Sequence, residues 1–356
     1  MLTVITTPPN PESKPMKTII LEEPGRFRLT ETEAPGSPRP GEALVRVRRV
    51  GICGTDLHAF RGDQPFLSYP RILGHELGVE VVELAPASTE DRLQVGDICT
   101  VEPYLNCGIC SACRRGKTNC CSRLLTLGVH TDGGMCEWIT LPIHKLHRAP
   151  GVQLDHLALV EMLCIGAHAV RRAQLAPREP VLVIGAGPIG LSVMQFALLA
   201  GAQVLGMEMS DRRIEFASTH LGVQNWVDPR HEPVNQLRRL LGGDLPLTVF
   251  DATGSARAMA QAFHYCEQGG KLVYVGLVQA EVPLPDPEFH RRELTLLASR
   301  NATAADFAHV IDALSSGRAN LDAWITHRAT PEQLVTEFAN WTDPEYGVVK
   351  AMLEFQ

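Results

Sequence analysis

The sequence of 356 residues predicts an α/β protein in which a mostly β segment precedes a doubly wound parallel sheet. Three observations predict it. From Met16 to about Lys145, short apolar runs such as ALVRVRRV and ELGVEVVEL are separated by Gly, Pro and Asp, as strands of a mostly β domain are. After Asp155, strand-like runs VLVIG, QVLGMEM, LTVFDAT and KLVYVGL alternate with helix-like LSVMQFALLA and RRIEFASTHL, the pattern of parallel strands joined by crossover helices. A chain of this length with 45% hydrophobic residues also suffices for two cores.

Residues 1 to 15 are rich in proline and lack apolar periodicity, so they read as a flexible leader, and Met16 is an alternative start. That segment has no basic n-region and too short an apolar run for an export signal, which makes the cytoplasm the expected compartment. Ten cysteines there point to metal binding rather than disulfides. The net charge of −7 and pI near 6.0, with scattered basic residues, exclude an electrostatic footprint for nucleic acid and leave a small molecule as the expected partner. Pro180 to Met207 carries no charge and is long enough to span a bilayer. Its glycines at 185, 187 and 190 and Pro188 instead suit a buried strand, a tight turn and a buried helix.

Along the chain, the first chemistry-bearing stretch is Gly51 to Glu76, GICGTDLHAFRGDQPFLSYPRILGHE. Cys53, His75 and Glu76 offer a thiolate, an imidazole and a carboxylate, a donor set that suits zinc with one position left open. Thr55, Asp56 and His58 follow the cysteine closely, and a hydroxyl and an imidazole there suit proton transfer. The same residue types also fit a buried cysteine and a core histidine. The second stretch, CGICSACRRGKTNCC, spaces Cys107, Cys110, Cys113 and Cys121 for a closed tetrahedral zinc, structural rather than catalytic. Cys120 competes with Cys121 for the fourth place, and an iron–sulfur cluster is the rival occupant, although ferredoxin spacings differ.

The third is GAGPIG, where Gly185, Gly187 and Gly190, with Pro188 and Ile189 between them, connect a strand to a helix. There the backbone can approach a pyrophosphate. Glu208, at the end of the next strand, is the acid expected to accept the ribose hydroxyls and repel a 2′-phosphate, favouring NAD over NADP. Arg212 and Arg213 follow it closely, as phosphate partners or as a solvated charge cluster.

With GHE at 74 to 76, four spaced cysteines and the glycine fingerprint in that order, the chain resembles the zinc-dependent medium-chain alcohol and polyol dehydrogenases from about Met16 to Phe355. Through QPFLSYPRILGHE, GVHTDGG and DPEFHRRELTLLASRNAT it is most similar to the bacterial L-galactonate and L-gulonate 5-dehydrogenase branch. The resemblance implies a GroES-like catalytic domain over 16–155 and 298–356, and a Rossmann domain at 156–297. It also implies two zinc ions per chain, NAD as acceptor, and a dimer or tetramer.

Residue by residue, the resemblance puts the catalytic zinc on Cys53, His75 and Glu161, with Glu76 as a fourth ligand or close alternate. Glu161 is followed by Met162 where relatives have Pro, so Cys164 is a rival ligand one helical turn on. Asp56 is implied to orient His75, and Thr55 and His58 to relay the hydroxyl proton while hydride passes to the nicotinamide. Thr253 in DATG, and Val275 and Leu277 in VGL, resemble nicotinamide-flanking loops, and they also read as plain strand ends. Arg300 resembles an arginine near the polyol-dehydrogenase pocket, where a planar fork suits a carboxylate, and it also suits a surface ion pair. The expected reaction is oxidation of a secondary hydroxyl of a sugar acid of the L-galactonate or L-gulonate type. A polyol or L-threonine dehydrogenase, and a non-enzymatic dinucleotide-binding protein, are the alternatives. A zinc-free quinone reductase would lack Cys53, His75 and Glu161.

Overall fold

The computed structural model describes residues 15–87 and 93–356, so all of the expected leader except Pro15 lies outside the described residues. The chain forms two compact units, 1–161 with 324–356, and 162–323.

In the first unit, strands Ile325–Ala329, Lys350–Glu354, Glu42–Ile52, Glu76–Ala85, Ile98–Val101 and Leu146–Arg148 lie side by side in that order, with Trp138–Pro142 also paired to Glu42–Ile52. Ala43, Val45 and Val47 point into the core while their neighbours are half-buried, the period of two expected of a strand with one covered face. Irregular pairing between Val47 and Arg49 then shifts the phase, so that Val50, Gly51 and Ile52 are all buried as the strand approaches Cys53. The late segment is part of this core. Phe338 of helix Pro331–Trp341 packs edge-on against Phe27 at 4.8 Å between ring centroids.

Register sets the site. Gly51 is paired with Glu76 on one side and Met352 on the other, which brings Lys350 and Glu76 to the same stretch of the central strand. Helix Leu154–Ala173 begins over this patch. A side chain at Gly51 would meet the Glu76 carboxylate and lie 3.3 Å from the Ala158 carbonyl, and one at Gly78 would lie 2.9 Å from the Leu154 carbonyl. Only glycine lets the helix backbone come this close to the sheet.

The second unit holds six parallel strands in the order Asn225–Val227, Gln203–Met207, Pro180–Ile184, Thr248–Asp251, Lys271–Tyr274 and Thr295–Ala298. Val181 to Ile184 and Val204 to Met207 are buried without alternation, because helices cover both faces of such a sheet. The chain order reverses beside Pro180–Ile184, and a crevice at the carboxyl ends of the strands is where a doubly wound sheet takes its ligand. The uncharged run 180–207 is strand, turn, helix Pro188–Leu199 and strand. Among the described residues no helix is long and apolar enough to cross a membrane.

The expected boundaries at 155 and 298 differ from the observed divisions after Glu161 and before Trp324. The later shift has a visible cause. Helix Ala304–Ser315 is held in the second unit by Asp306, whose carboxylate accepts from His168 Nδ1 at 2.9 Å, Arg171 Nε at 2.8 Å and the Thr303 amide at 2.8 Å.

Candidate active site

Cys53 lies at the N-cap of helix Gly54–Arg61, and its amide donates to Asp56 Oδ2 at 2.9 Å. That bond fixes the first helical turn and with it Thr55. The sulfur of Cys53, an imidazole nitrogen of His75 and a carboxylate oxygen of Glu76 all lie within 4.8 Å of one another. Asp56 Oδ1 lies 3.8 Å from His75 Nδ1, and both atoms are buried without a hydrogen-bond partner. Asp56 therefore caps the helix with one oxygen and faces the imidazole with the other.

Burial alone would push the His75 pKa down. The charges of Asp56 and Cys53 outweigh it and hold the imidazole well above its ordinary value. Burial also raises the Asp56 and Glu161 carboxyls. So many acidic groups packed out of water ask for a cation, and the orphaned His75 and Asp56 atoms with the Cys53 sulfur nearby fit zinc.

Two partners here were not read from the sequence. Lys350 is buried, and its ammonium donates to Glu76 at 2.7 and 2.5 Å and to the Ile52 carbonyl at 2.7 Å. Tyr104 donates its hydroxyl to Glu161 Oε1. Glu161, expected as a ligand, is buried nearby but held by Tyr104, while Glu76, expected as fourth ligand or alternate, belongs to the ligand-sized group. A signal existed for Lys350. A lysine inside the apolar strand VVKAMLEF needs a buried anion. His58 is exposed, with Nδ1 2.9 Å from Asp63 Oδ1, and Cys164 falls in no metal-sized group among the described residues.

The sulfurs of Cys107, Cys110, Cys113 and Cys121 form a second group within 4.8 Å, and Cys120 stays outside it, exposed. Between the two adjacent cysteines, the geometry selects Cys121. The amides of Cys107 and Arg123 both donate to its sulfur at 3.3 Å. Backbone N–H groups of Cys113 and Ser122 lower the Cys110 thiol to about 5, and those of Ile109 and Cys110 lower Cys107 to about 7. Burial pushes the Cys113 thiol up to about 11, but the lowered Cys107 and Cys110 are ready ligands, and the four clustered sulfurs fit a closed zinc.

In the second unit Gly185 has φ of +91°, and a side chain at Gly190 would strike the Gly185 carbonyl. Gly187 caps helix Pro188–Leu199, with Pro188 and Ile189 in its first turn. Glu208 braces this loop: it accepts from Ala186 N at 2.8 Å, Met209 N at 2.7 Å and Ser210 N at 3.1 Å, and Arg213 approaches it at 3.7 Å. Thr253 donates its hydroxyl and amide to Asp251 Oδ1, while the Asp251 carbonyl accepts from Val275 and Gly276. Leu277 and Arg300 are exposed.

Residues 39–151 match the alcohol dehydrogenase GroES-like domain, and residues 188–316 match the zinc-binding dehydrogenase family. L-galactonate-5-dehydrogenase of Escherichia coli K12 is 43% identical over 314 residues, covering 88% of this chain and 91% of the relative. The chain belongs to the zinc-containing medium-chain dehydrogenases. Another relative, 2-dehydro-3-deoxy-L-galactonate 5-dehydrogenase of Pseudoalteromonas atlantica, is 34% identical over 325 residues, 89% of this chain and 93% of the relative. An alcohol dehydrogenase of Escherichia coli CFT073 complexed with NADH has a similar solved structure, with a TM-score of 0.88 and 28% identity over 96% of this chain and 99% of that one. As a medium-chain dehydrogenase of the polyol and sugar-acid branch, the protein is a zinc-dependent enzyme acting on CH–OH groups with NAD(P).

Proposed function

We propose that the enzyme oxidises a secondary hydroxyl of a five- or six-carbon sugar acid, of the L-galactonate or L-gulonate type, to the keto acid with NAD. The observation that carries this reading is the 43% identity to an L-galactonate dehydrogenase over most of both chains. Cys53, His75 and a carboxylate, Glu76 or Glu161, would hold one zinc, and the four-cysteine group a second. When bound, the first zinc supplies a Lewis acid that acidifies a hydroxyl, and NAD supplies the hydride acceptor.

The chain's own residues do the rest. Asp56 keeps the His75 ring oriented. Thr55, on the first turn of the capped helix, would relay the hydroxyl proton, accepting it as its own moves on, and His58, paired with Asp63 and open to water, would pass a proton to solvent. Lys350 engages Glu76 and Tyr104 engages Glu161, so each buried carboxylate has a partner and one of the two is left to ligate. Glu208 braces the glycine turn that receives the pyrophosphate and is the acceptor for the ribose hydroxyls. Arg300 is the proposed partner of the substrate carboxylate. The exposed edge strand Thr295–Ala298, with Leu296 facing water, supports a homo-oligomer, which light scattering tests.

The experiment is a substrate panel of sugar acids and polyols, followed by NADH absorbance. Sugar acids should give the highest kcat/KM; faster turnover of sorbitol-like polyols removes the sugar-acid reading and leaves the polyol one.

A further inference from the structure

Beside the four-cysteine lobe stands a buried charged cluster that the reaction does not use. Lys145 Nζ donates to Glu102 Oε1 at 2.5 Å and to Asn106 Oδ1 at 2.8 Å, and His147 Nε2 lies 3.1 Å from Glu102 Oε2. Lys145 and Glu102 are 3% and 2% exposed, so the pair is out of water and its geometry is stiff. Its backbone is tied as well, because the Glu102 amide donates to the Lys145 carbonyl at 2.8 Å. On the far side of this cluster, Asn106 Nδ2 donates to Cys113 Sγ at 3.7 Å.

The amide of Asn106 is ambidextrous, with an acceptor at one end and donors at the other. An ammonium has donors only, so Lys145 accepts no orientation of Asn106 except the one that presents Oδ1 to it. The NH₂ group is then forced towards the Cys113 sulfur. A thiolate that ligates a metal is negatively charged, and an N–H aimed at it disperses that charge, as hydrogen bonds around a ligand shell do. With the amide turned over, a carbonyl oxygen would face the sulfur and repel it.

We propose that Lys145, anchored by Glu102, is a positioning residue for the four-cysteine metal site, acting through Asn106 on Cys113. The inference rests on the reading that these four thiolates hold zinc. It assigns a role to a buried ion pair that otherwise costs desolvation and contributes little net stability.

The test is the rate at which the purified holoenzyme gives up its slowly exchanging zinc to a metallochromic chelator, in wild type and in Asn106→Leu, Lys145→Met and Lys145→Arg. Asn106→Leu and Lys145→Met should release that zinc about tenfold faster or more. Lys145→Arg, which still has donors only, should stay near the wild type. Replacing the slow zinc by cobalt supplies a readout that mere loosening of the lobe does not move. The thiolate-to-cobalt charge-transfer bands should shift in Asn106→Leu. Should Lys145→Met fail to fold, Asn106→Leu decides alone, since Asn106 is only half-buried. Slow zinc released at the wild-type rate from Asn106→Leu, with unchanged cobalt bands, overturns the inference and leaves the metal reading standing. A wild-type protein with no slowly released zinc overturns both.

Discussion

Lys350 grips both carboxylate oxygens of Glu76, at 2.7 and 2.5 Å, although the two residues are 274 positions apart in the chain. Both side chains are out of water, 2% and 0% exposed, so each compensates the other for leaving solvent. Replacing Lys350 by Met should cost about 3 to 5 kcal/mol of stability, because it strands a buried carboxylate. Glu76→Gln in the same background should recover part of the loss. Urea unfolding of the two single variants and the double variant checks this, and additive effects would mean that the pair is not coupled.

Metal content is the second expectation. Elemental analysis should return about two zinc ions per chain, falling to about one in either Cys53→Ala or Cys107→Ala. Chelation should abolish activity before it unfolds the protein, since a site with an open position exchanges more readily than four closed thiolates. Simultaneous loss of activity and fold would show that the two groups have been given the wrong roles.

For the cofactor, Glu208→Ala should weaken or reverse a preference for NAD, measured as the ratio of kcat/KM for NAD and NADP. Removing the carboxylate releases Arg213 towards a 2′-phosphate and also leaves the Ala186 amide of the glycine turn without its acceptor. Affinity for both dinucleotides should therefore fall somewhat. A wild type that already prefers NADP would take Glu208 off the ribose.

Acid stability of the second unit should depend on Asp306. Burial opposes its charge, but hydrogen bonds from His168, Arg171 and Thr303 prevail and hold the carboxyl well below the usual range. The unfolded chain then binds the proton more readily than the folded one. The stabilisation is thus fully present above the unfolded carboxylate value of about 4 and is lost as the pH drops below it towards the depressed folded value. Thermal melts between pH 7 and 3 should show a steeper fall for wild type than for Asp306→Asn, and parallel curves would contradict the assignment.

Recognition of the substrate carboxylate is the fifth expectation. Arg300→Met should lower kcat/KM for a sugar acid on the order of a hundredfold and leave an uncharged polyol of equal length almost unaffected. Equal losses on both would make Arg300 a structural residue.

Much of the site was legible in the sequence because its chemistry is local. Cys53 with Thr55 and Asp56, His75 with Glu76, the four cysteines and the glycine turn each declare themselves by spacing within a short segment. What escaped was pairing across the chain. Lys350 with Glu76, Tyr104 with Glu161, and Lys145 with Asn106 depend on strand register and helix placement, which no local pattern encodes. Where the chain returns to the first unit, at Trp324, is hidden from local pattern for a related reason. Helix Ala304–Ser315 looks like any amphipathic helix until Asp306 meets His168 and Arg171.

The split of the first unit around the second bears on the order in which a growing chain acquires its parts. Cys53, His75, Glu76 and Glu161 leave the ribosome first, yet the strand carrying Lys350 emerges only after the whole second unit has been made. Until then Glu76 has no ammonium to meet, and one side of the central strand Glu42–Ile52 stands open where Lys350–Glu354 will pair. During synthesis that unpaired edge is an invitation to other nascent chains. The continuous unit, 162–323, is free to fold meanwhile, so the last strand joins a central strand made some three hundred residues earlier to one made just before it.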